Sequence, residues 1–438
     1  MTAPGLILAA PSSGCGKTVI TLALLRALRN GGVNVAAAKA GPDYIDPAYH
    51  SAACGRVCIN LDVWAMRRDT LAGLAGGLGG SADLILCEGV MGLFDGASGG
   101  GGSTADLAAA TGWPVVLIVN ARGQGASAAA LAEGFIRHRQ DVEIAGIICN
   151  RVGSAGHARI LREAFVTLNP AVPLLGCLPA DAALELPDRH LGLVQASEHM
   201  ALEPFLEAAA ALMTDHIDLT RLKGIARHSG LPPAMAPVSL PPIGQRIAVA
   251  RDEAFLFCYP AVLDGWRRAG AEIMPFSPLA DASPDTAADA VYLPGGYPEL
   301  HAGRLAGNTG FLGGLRLAAA TGKAVFGECG GYMVLGSGLI DADGVRHAMA
   351  GLLPVTTSFA DRRLQLGYRR LDSLYPSPLG AAGSRFTGHE FHYATIHEEG
   401  PGDALFAVRD SRNDPMSPAG RVAGNVAGSF IHLIDSAA

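Results

Sequence analysis

In "AVFGECGGYMVLG" (324–336) one cysteine, Cys329, stands between Gly327 and Gly331 in a Gly-x-nucleophile-x-Gly setting. That is the pattern of a nucleophile elbow, a strained strand-to-helix turn that lifts the side chain out of a sheet. It leaves the thiol at a helix N-terminus, which predicts a lowered pKa and a thiolate. A cysteine nucleophile needs a base, usually histidine. "GSFIHLI" (428–434) offers His432 at a strand end, and His389 and His392 in "GHEFHYA" (388–394) are its rivals. An oxyanion needs backbone donors, and "YLPGGYPEL" (292–300) places Gly295 and Gly296 just past a strand, suited to present an N–H.

The other end of the chain carries different chemistry. "APSSGCGKT" (10–18) follows an apolar run and opens a helix, ending on Gly16, Lys17 and Thr18 as a phosphate loop does. Pro11 occupies the first glycine position of that pattern. Ser13, Gly14, Cys15 and Gly16 supply backbone N–H groups, Lys17 a cation for the β- and γ-phosphates, and the Thr18 hydroxyl a ligand for Mg²⁺. Further carboxylates stand just past strands. "LILCEGVMGLFDG" (84–96) gives Glu88 and Asp95, and "KAGPDYIDPAYH" (39–50) gives Lys39, Asp43 and Asp46. Ligands in open α/β sheets gather at that edge. Asn150 in "CNRVG" (149–153) is placed to read an adenine edge.

These groups require a scaffold of short strands and amphipathic helices. Residues 5–10, 33–40, 83–89, 114–120, 144–150 and 173–179 read as near-continuous apolar strands, with helices over 18–30, 125–140 and 156–169. That alternation predicts a parallel sheet covered on both faces. The proline-rich "HSGLPPAMAPVSLPPIGQ" (228–245) reads as a linker. A second α/β pattern follows, with strands over 246–252, 271–278, 290–296 and 323–329 and a helix over 256–270. The expected domains are 1–227 and 246–438. The fold class is α/β, a P-loop parallel-sheet domain followed by a second α/β domain.

The bulk composition agrees. The chain has 438 residues, 49% hydrophobic and 17% charged, with a formal net charge of −7, which excludes disorder and gives no nucleic-acid footprint. No apolar run is long enough to cross a bilayer. The eight cysteines form no CxxC pair; Cys54 and Cys58 are the one spacing near a metal pattern and have no second pair. Free thiols and the absence of a basic leader at the N-terminus predict a cytoplasmic protein.

"AVYLPGGYPEL", "FGECGGYM" and "GSFIHLI" resemble the class I glutamine amidotransferase domain of the cobalamin-pathway type. "APSSGCGKT", "KAGPDYIDP" and "EGVMGLFDG" resemble the amino-terminal domain of the cobyrinic or hydrogenobyrinic acid a,c-diamide synthase family. That domain is similar to dethiobiotin synthetase, whose loop also lacks the first glycine. The resemblance covers nearly the whole chain and disfavours cobyric acid synthase. It implies that Cys329 attacks glutamine, that His432 shuttles the proton and that the Gly296 N–H holds the oxyanion. It also implies that ATP activates the a and c carboxylates of a corrin ring as acyl phosphates, which ammonia then attacks. On this reading Thr18, Asp46 and Glu88 are the Mg²⁺ candidates, and Lys39, Asp43, Tyr44, Asp46 and Asp95 orient the substrate or acyl phosphate. The resemblance suggests a homodimer. Class I amidotransferases usually carry Glu two residues after the histidine, but Ile434 stands there, which implies a Cys–His dyad. The nearer alternative is the same chemistry on another tetrapyrrole acid, such as a nickel sirohydrochlorin. The other is a partitioning-type ATPase, whose early loop lysine is replaced here by Ser12 and Ser13.

Overall fold

The computed structural model describes residues 2–437 except 81, 169–171, 182–183, 185–187, 190–191, 194, 200 and 236. The chain divides into two compact units. The first comprises residues 1–64, 68–96 and 101–236; the second comprises 65–67, 97–100 and 237–438.

The first unit is built on seven described strands: β1 (Gly5–Ala9), β2 (Val35–Ala40), β3 (Ile59–Leu61), β4 (Leu84–Glu88), β5 (Val115–Asn120), β6 (Ile144–Val152) and β7 (Leu174–Pro179). They lie in the order β3-β2-β4-β1-β5-β6-β7, every neighbouring pair parallel. β1, β2 and β4 are buried along their whole length, as expected of strands covered on both faces. Helices α1 (Lys17–Asn30), α2 (Asp46–Cys54) and α3 (Arg68–Gly79) are the first connections. α1 buries Ile20, Leu24 and Leu28 in the core shared with Leu6, Leu86 and Ile118. It begins at Gly16, whose backbone is left-handed at φ 92°, a geometry that favours glycine. The predicted helix over 156–169 appears as Ala155–Leu168, and Asn169 lies outside the described residues.

β3 and α2 are among the elements that the sequence pattern does not predict. β3 is only three residues long, too short for its pattern to register. α2 follows the Asp43 turn and carries Pro47 in its first turn, where a missing N–H costs nothing. It stops at the left-handed Gly55.

The second unit holds a ten-stranded mixed sheet among the described residues. Its parallel half runs Glu272–Phe276, Arg246–Ala250, Ala290–Leu293, Ala324–Glu328 and Val426–Ser429. The antiparallel half continues with Pro415–Ala423, Asp403–Arg409, Gln365–Ser373, Arg385–His392 and His432–Ser436. The predicted helix over 256–270 is shorter, Pro260–Arg268, because proline sets its first turn. Among the described residues no helix is long and apolar enough to cross a membrane.

Candidate functional site

In the first unit the chemistry collects where β1, β2 and β4 end. Leu8 of β1 and Lys39 of β2 both sit in register with Glu88 at the end of β4. The loop after β1 returns into α1 through two left-handed glycines, Gly14 at φ 77° and Gly16 at φ 92°. Ser13 and Gly14 are exposed, whereas Cys15 and Lys17 are buried. Lys17 Nζ donates to the Met91 carbonyl at 2.6 Å, and burial pulls its pKa down.

Thr18 Oγ1 donates to Glu88 Oε1 at 2.7 Å and lies 3.3 Å from Asp46 Oδ2. Lys39 Nζ binds the same two carboxylates, at 2.6 Å from Asp46 Oδ2 and 3.0 Å from Glu88 Oε1, with Asp43 Oδ2 at 3.7 Å. Burial works against the Lys39 charge, but the carboxylates outweigh it and hold the ammonium well above its ordinary pKa. Burial also works against Glu88, and Lys39 and His50 outweigh it and keep that carboxylate well below its usual range. Asp46 goes the other way: burial and then the Asp43 carboxylate push it up. Three carboxylates share one ammonium, so the cluster carries more negative charge than Lys39 neutralises. Two carboxylates and a hydroxyl beside a phosphate loop fit the oxygen donor set that Mg²⁺ takes together with phosphate oxygens and water.

The remaining predicted residues have local partners. Asp43 Oδ1 accepts from the Ile45 and Asp46 N–H groups and so shapes the start of α2. Tyr44 is buried. Asp95 Oδ2 accepts from Gly92 N–H within its own loop. Asn150 Nδ2 donates to the Cys15 carbonyl and its Oδ1 accepts from Arg151 N–H, leaving a second amide N–H and lone pair. It braces the phosphate loop, and a Cβ at Gly16 would stand 2.4 Å from its Nδ2. Beside it opens a cavity lined by Arg122, Arg151, Asp181 and Leu184. Sequence reasoning missed His50, wholly buried with Nε2 2.6 Å from Glu88 Oε2, off the hydrogen-bonding direction. The signal was available: Asp46 and His50 are four apart on one helix, hence on one face. Cys54 and Cys58 are buried with raised pKa values, first from burial.

In the second unit Cys329 caps the strand Ala324–Glu328 at φ 47° and ψ −105°, a strained elbow before the helix Gly330–Leu335. The flanking glycines are required by contact: a Cβ on Gly331 would lie 2.0 Å from the Leu293 carbonyl. Cys329 N–H donates to the Ser429 carbonyl at 2.8 Å, tying the elbow to the strand preceding His432. Gly295 is the meeting point. A Cβ there would stand 2.4 Å from His432 Cε1, 3.0 Å from its Nε2 and 3.2 Å from Cys329 Cβ. The Gly296 nitrogen lies beside Gly330, 3.1 Å from where a Cβ on that residue would be, and the Gly330 N–H bonds toward the thiol. Both backbone donors border Cys329.

The rivals to His432 are otherwise engaged. His392 binds Glu390 Oε1 and the Ala394 carbonyl, each at 2.9 Å, and stacks on Phe430. His389 pairs across the strands with His432 and packs edge-on against Tyr368.

One expectation needs correction. The thiol is not lowered. Burial, and then the nearby Glu299 carboxylate, push Cys329 up, and a six-residue helix offers little dipole against that. Burial and the neighbouring His389 and His392 hold His432 down at about 3. The resting pair is a neutral thiol and a neutral imidazole. Ile434 is indeed buried and apolar, but Glu328, the residue before the nucleophile, brings Oε2 to 3.9 Å from His432 Nδ1.

A phosphate-loop unit and a thiol amidotransferase unit in one chain define a glutamine-dependent amide ligase. Residues 6–194 match the model of the CobQ/CobB/MinD/ParA nucleotide binding domain, and residues 246–438 that of the CobB/CobQ-like glutamine amidotransferase domain. Hydrogenobyrinate a,c-diamide synthase of Brucella anthropi is 56% identical over 98% of both chains. The enzymes of that name from a Sinorhizobium species and from Rhodobacter capsulatus are 52% and 53% identical, covering 98% or more of each chain. The chain belongs to the hydrogenobyrinate a,c-diamide synthase family.

Proposed function

We propose that the protein amidates the a and c carboxylates of hydrogenobyrinate, using ATP and glutamine. In the second unit the Cys329 sulfur attacks the glutamine amide carbon as its proton passes to His432 Nε2. The N–H groups of Gly296 and Gly330 receive the oxyanion. Collapse returns the proton to the departing nitrogen, ammonia leaves, and water hydrolyses the thioester to glutamate and free thiol. In the first unit a corrinoid carboxylate attacks the γ-phosphorus of ATP, giving an acyl phosphate and ADP. Ammonia adds to the acyl carbon and phosphate departs. The sequence runs once for each carboxylate.

The phosphate-loop amides and Lys17 bind the phosphates. Thr18, Asp46 and Glu88 would hold Mg²⁺, which when bound neutralises charge developing on the phosphate oxygens. Lys39, Asp43, Tyr44 and Asp95 line the same sheet edge and orient the substrate or acyl phosphate. Residues 1–227 form the synthetase domain, 228–245 the linker and 246–438 the amidotransferase domain. Eight unpaired cysteines support a reducing cytoplasm as the site of action, and a homodimer belongs to the same reading.

The observation that carries the substrate is the near-full-length match to synthases of that name. Mass spectrometry of products formed from hydrogenobyrinate, cobyrinate and nickel sirohydrochlorin, each with ATP and glutamine, tests it. A gain of two amides on hydrogenobyrinate is expected; two amides only on another ring would overturn the reading.

A further inference from the structure

We propose that Glu328 is the positioning acid of His432, supplied by the nucleophile elbow itself rather than by the segment after the histidine. The inference rests on the proposed glutamine chemistry at Cys329.

Glu328 ends the strand that presents Cys329 and is 3% exposed. Its two oxygens are fixed from two other strands. Tyr292 OH donates to Oε2 at 2.7 Å, and Leu433 N–H donates to Oε1 at 3.1 Å. The second bond grips the peptide next to His432, so one carboxylate sets both the backbone and the ring of the base. Its Oε2 faces His432 Nδ1 at 3.9 Å. The opposite edge of the ring, with Nε2, faces Gly295, whose missing Cβ also leaves the approach to Cys329 Cβ open. With a carboxylate at Nδ1, the neutral ring carries its proton there and keeps the Nε2 lone pair for the thiol.

Burial pushes Glu328 up to about 7, opposed by the Tyr292 and Leu433 bonds, and among the described residues no lysine or arginine pairs with it. When the Cys329 proton moves to Nε2, the imidazolium becomes the cation that this carboxylate lacks. Groups facing His432 include Glu328, His389, His392 and the Tyr259 ring, and Cys258 with Tyr292 faces Glu328. Among these neighbours Glu328 is the carboxylic acid. The 3.9 Å separation exceeds a formed hydrogen bond, and catalytic hydrogen bonds commonly tighten when substrate binds.

The test compares the full-length wild type with Glu328→Gln and Glu328→Asp, measuring glutamate release from glutamine and, separately, amidation driven by ammonium chloride. Glu328→Gln is expected to lower kcat for glutamine on the order of 10- to 100-fold, with KM within about twofold. Glu328→Asp, which keeps the charge, recovers part of the loss. Unchanged kcat in Glu328→Gln overturns the inference. So does a loss expressed mainly in KM, an equal loss in both variants, or a parallel loss of ammonia-driven amidation. A wild type that releases no glutamate from glutamine would instead overturn the glutamine chemistry itself.

Discussion

Gly295 and His432 are in direct apposition: a single methyl carbon added to the glycine would lie 2.4 Å from the Cε1 of the imidazole. The same carbon would press on Cys329 Cβ at 3.2 Å. Gly295→Ala must therefore move the ring or the elbow. Glutamine-dependent amidation is expected to fall about 100-fold or more, since small displacements of a catalytic pair cost that much. Amidation from ammonium chloride should persist, and product yields with the two nitrogen sources check this.

Cys329→Ser separates the two units chemically. It should abolish glutamate release and leave the ammonia-driven reaction. Disappearance of both activities together would sink the division of labour between the thiol site and the phosphate loop.

Lys39 bears on the carboxylates at Thr18. Replacing it as Lys39→Met leaves Asp43, Asp46 and Glu88 without their ammonium, and breaking such a buried pair costs about 3 kcal/mol or more. The melting temperature in metal-free buffer should drop. Added Mg²⁺ should restore more of it than Mg²⁺ adds to the wild type. A variant equally indifferent to Mg²⁺ would remove the metal from this site.

Acid should unfold the second unit partly through His432. Its pKa is held near 3 in the folded chain against an ordinary 6.5. The unfolded chain therefore takes up a proton below 6.5 that the folded chain refuses. The stability is complete above pH 6.5 and is lost as pH falls toward 3. Glu328 works in the opposite sense: its pKa near 7, above an ordinary 4.5, favours the fold as pH drops from 7. Thermal melts between pH 8 and pH 5 on wild type and His432→Gln isolate the histidine. The wild type should lose more stability across that range, and parallel curves would contradict the assignment.

The first unit was readable because its strands are short apolar runs buried on both faces and its loops carry glycine where φ must be positive. Lys39, Asp46 and Glu88 could be placed at one edge because each follows such a run. What their pairing does to each charge was hidden, since it depends on burial that no spacing reports. The antiparallel half of the second sheet was harder. Gln365–Ser373, "QLGYRRLDS", exposes several positions and breaks the alternation that marks a strand. The elbow was legible as a pattern, yet its thiol state was misread because enclosure outweighs the helix end. Glu328 escaped notice because its partner Leu433 lies 105 residues away. Only the packing of three strands brings them together.

The raised thiol at Cys329 has a consequence outside the reaction. Peroxides and alkylating agents attack thiolates and spare the protonated form. The enclosure that withholds charge from this sulfur therefore shields it from chemical damage between turnovers. The protein keeps this sulfur inert until a substrate and a neighbouring imidazole draw the proton away.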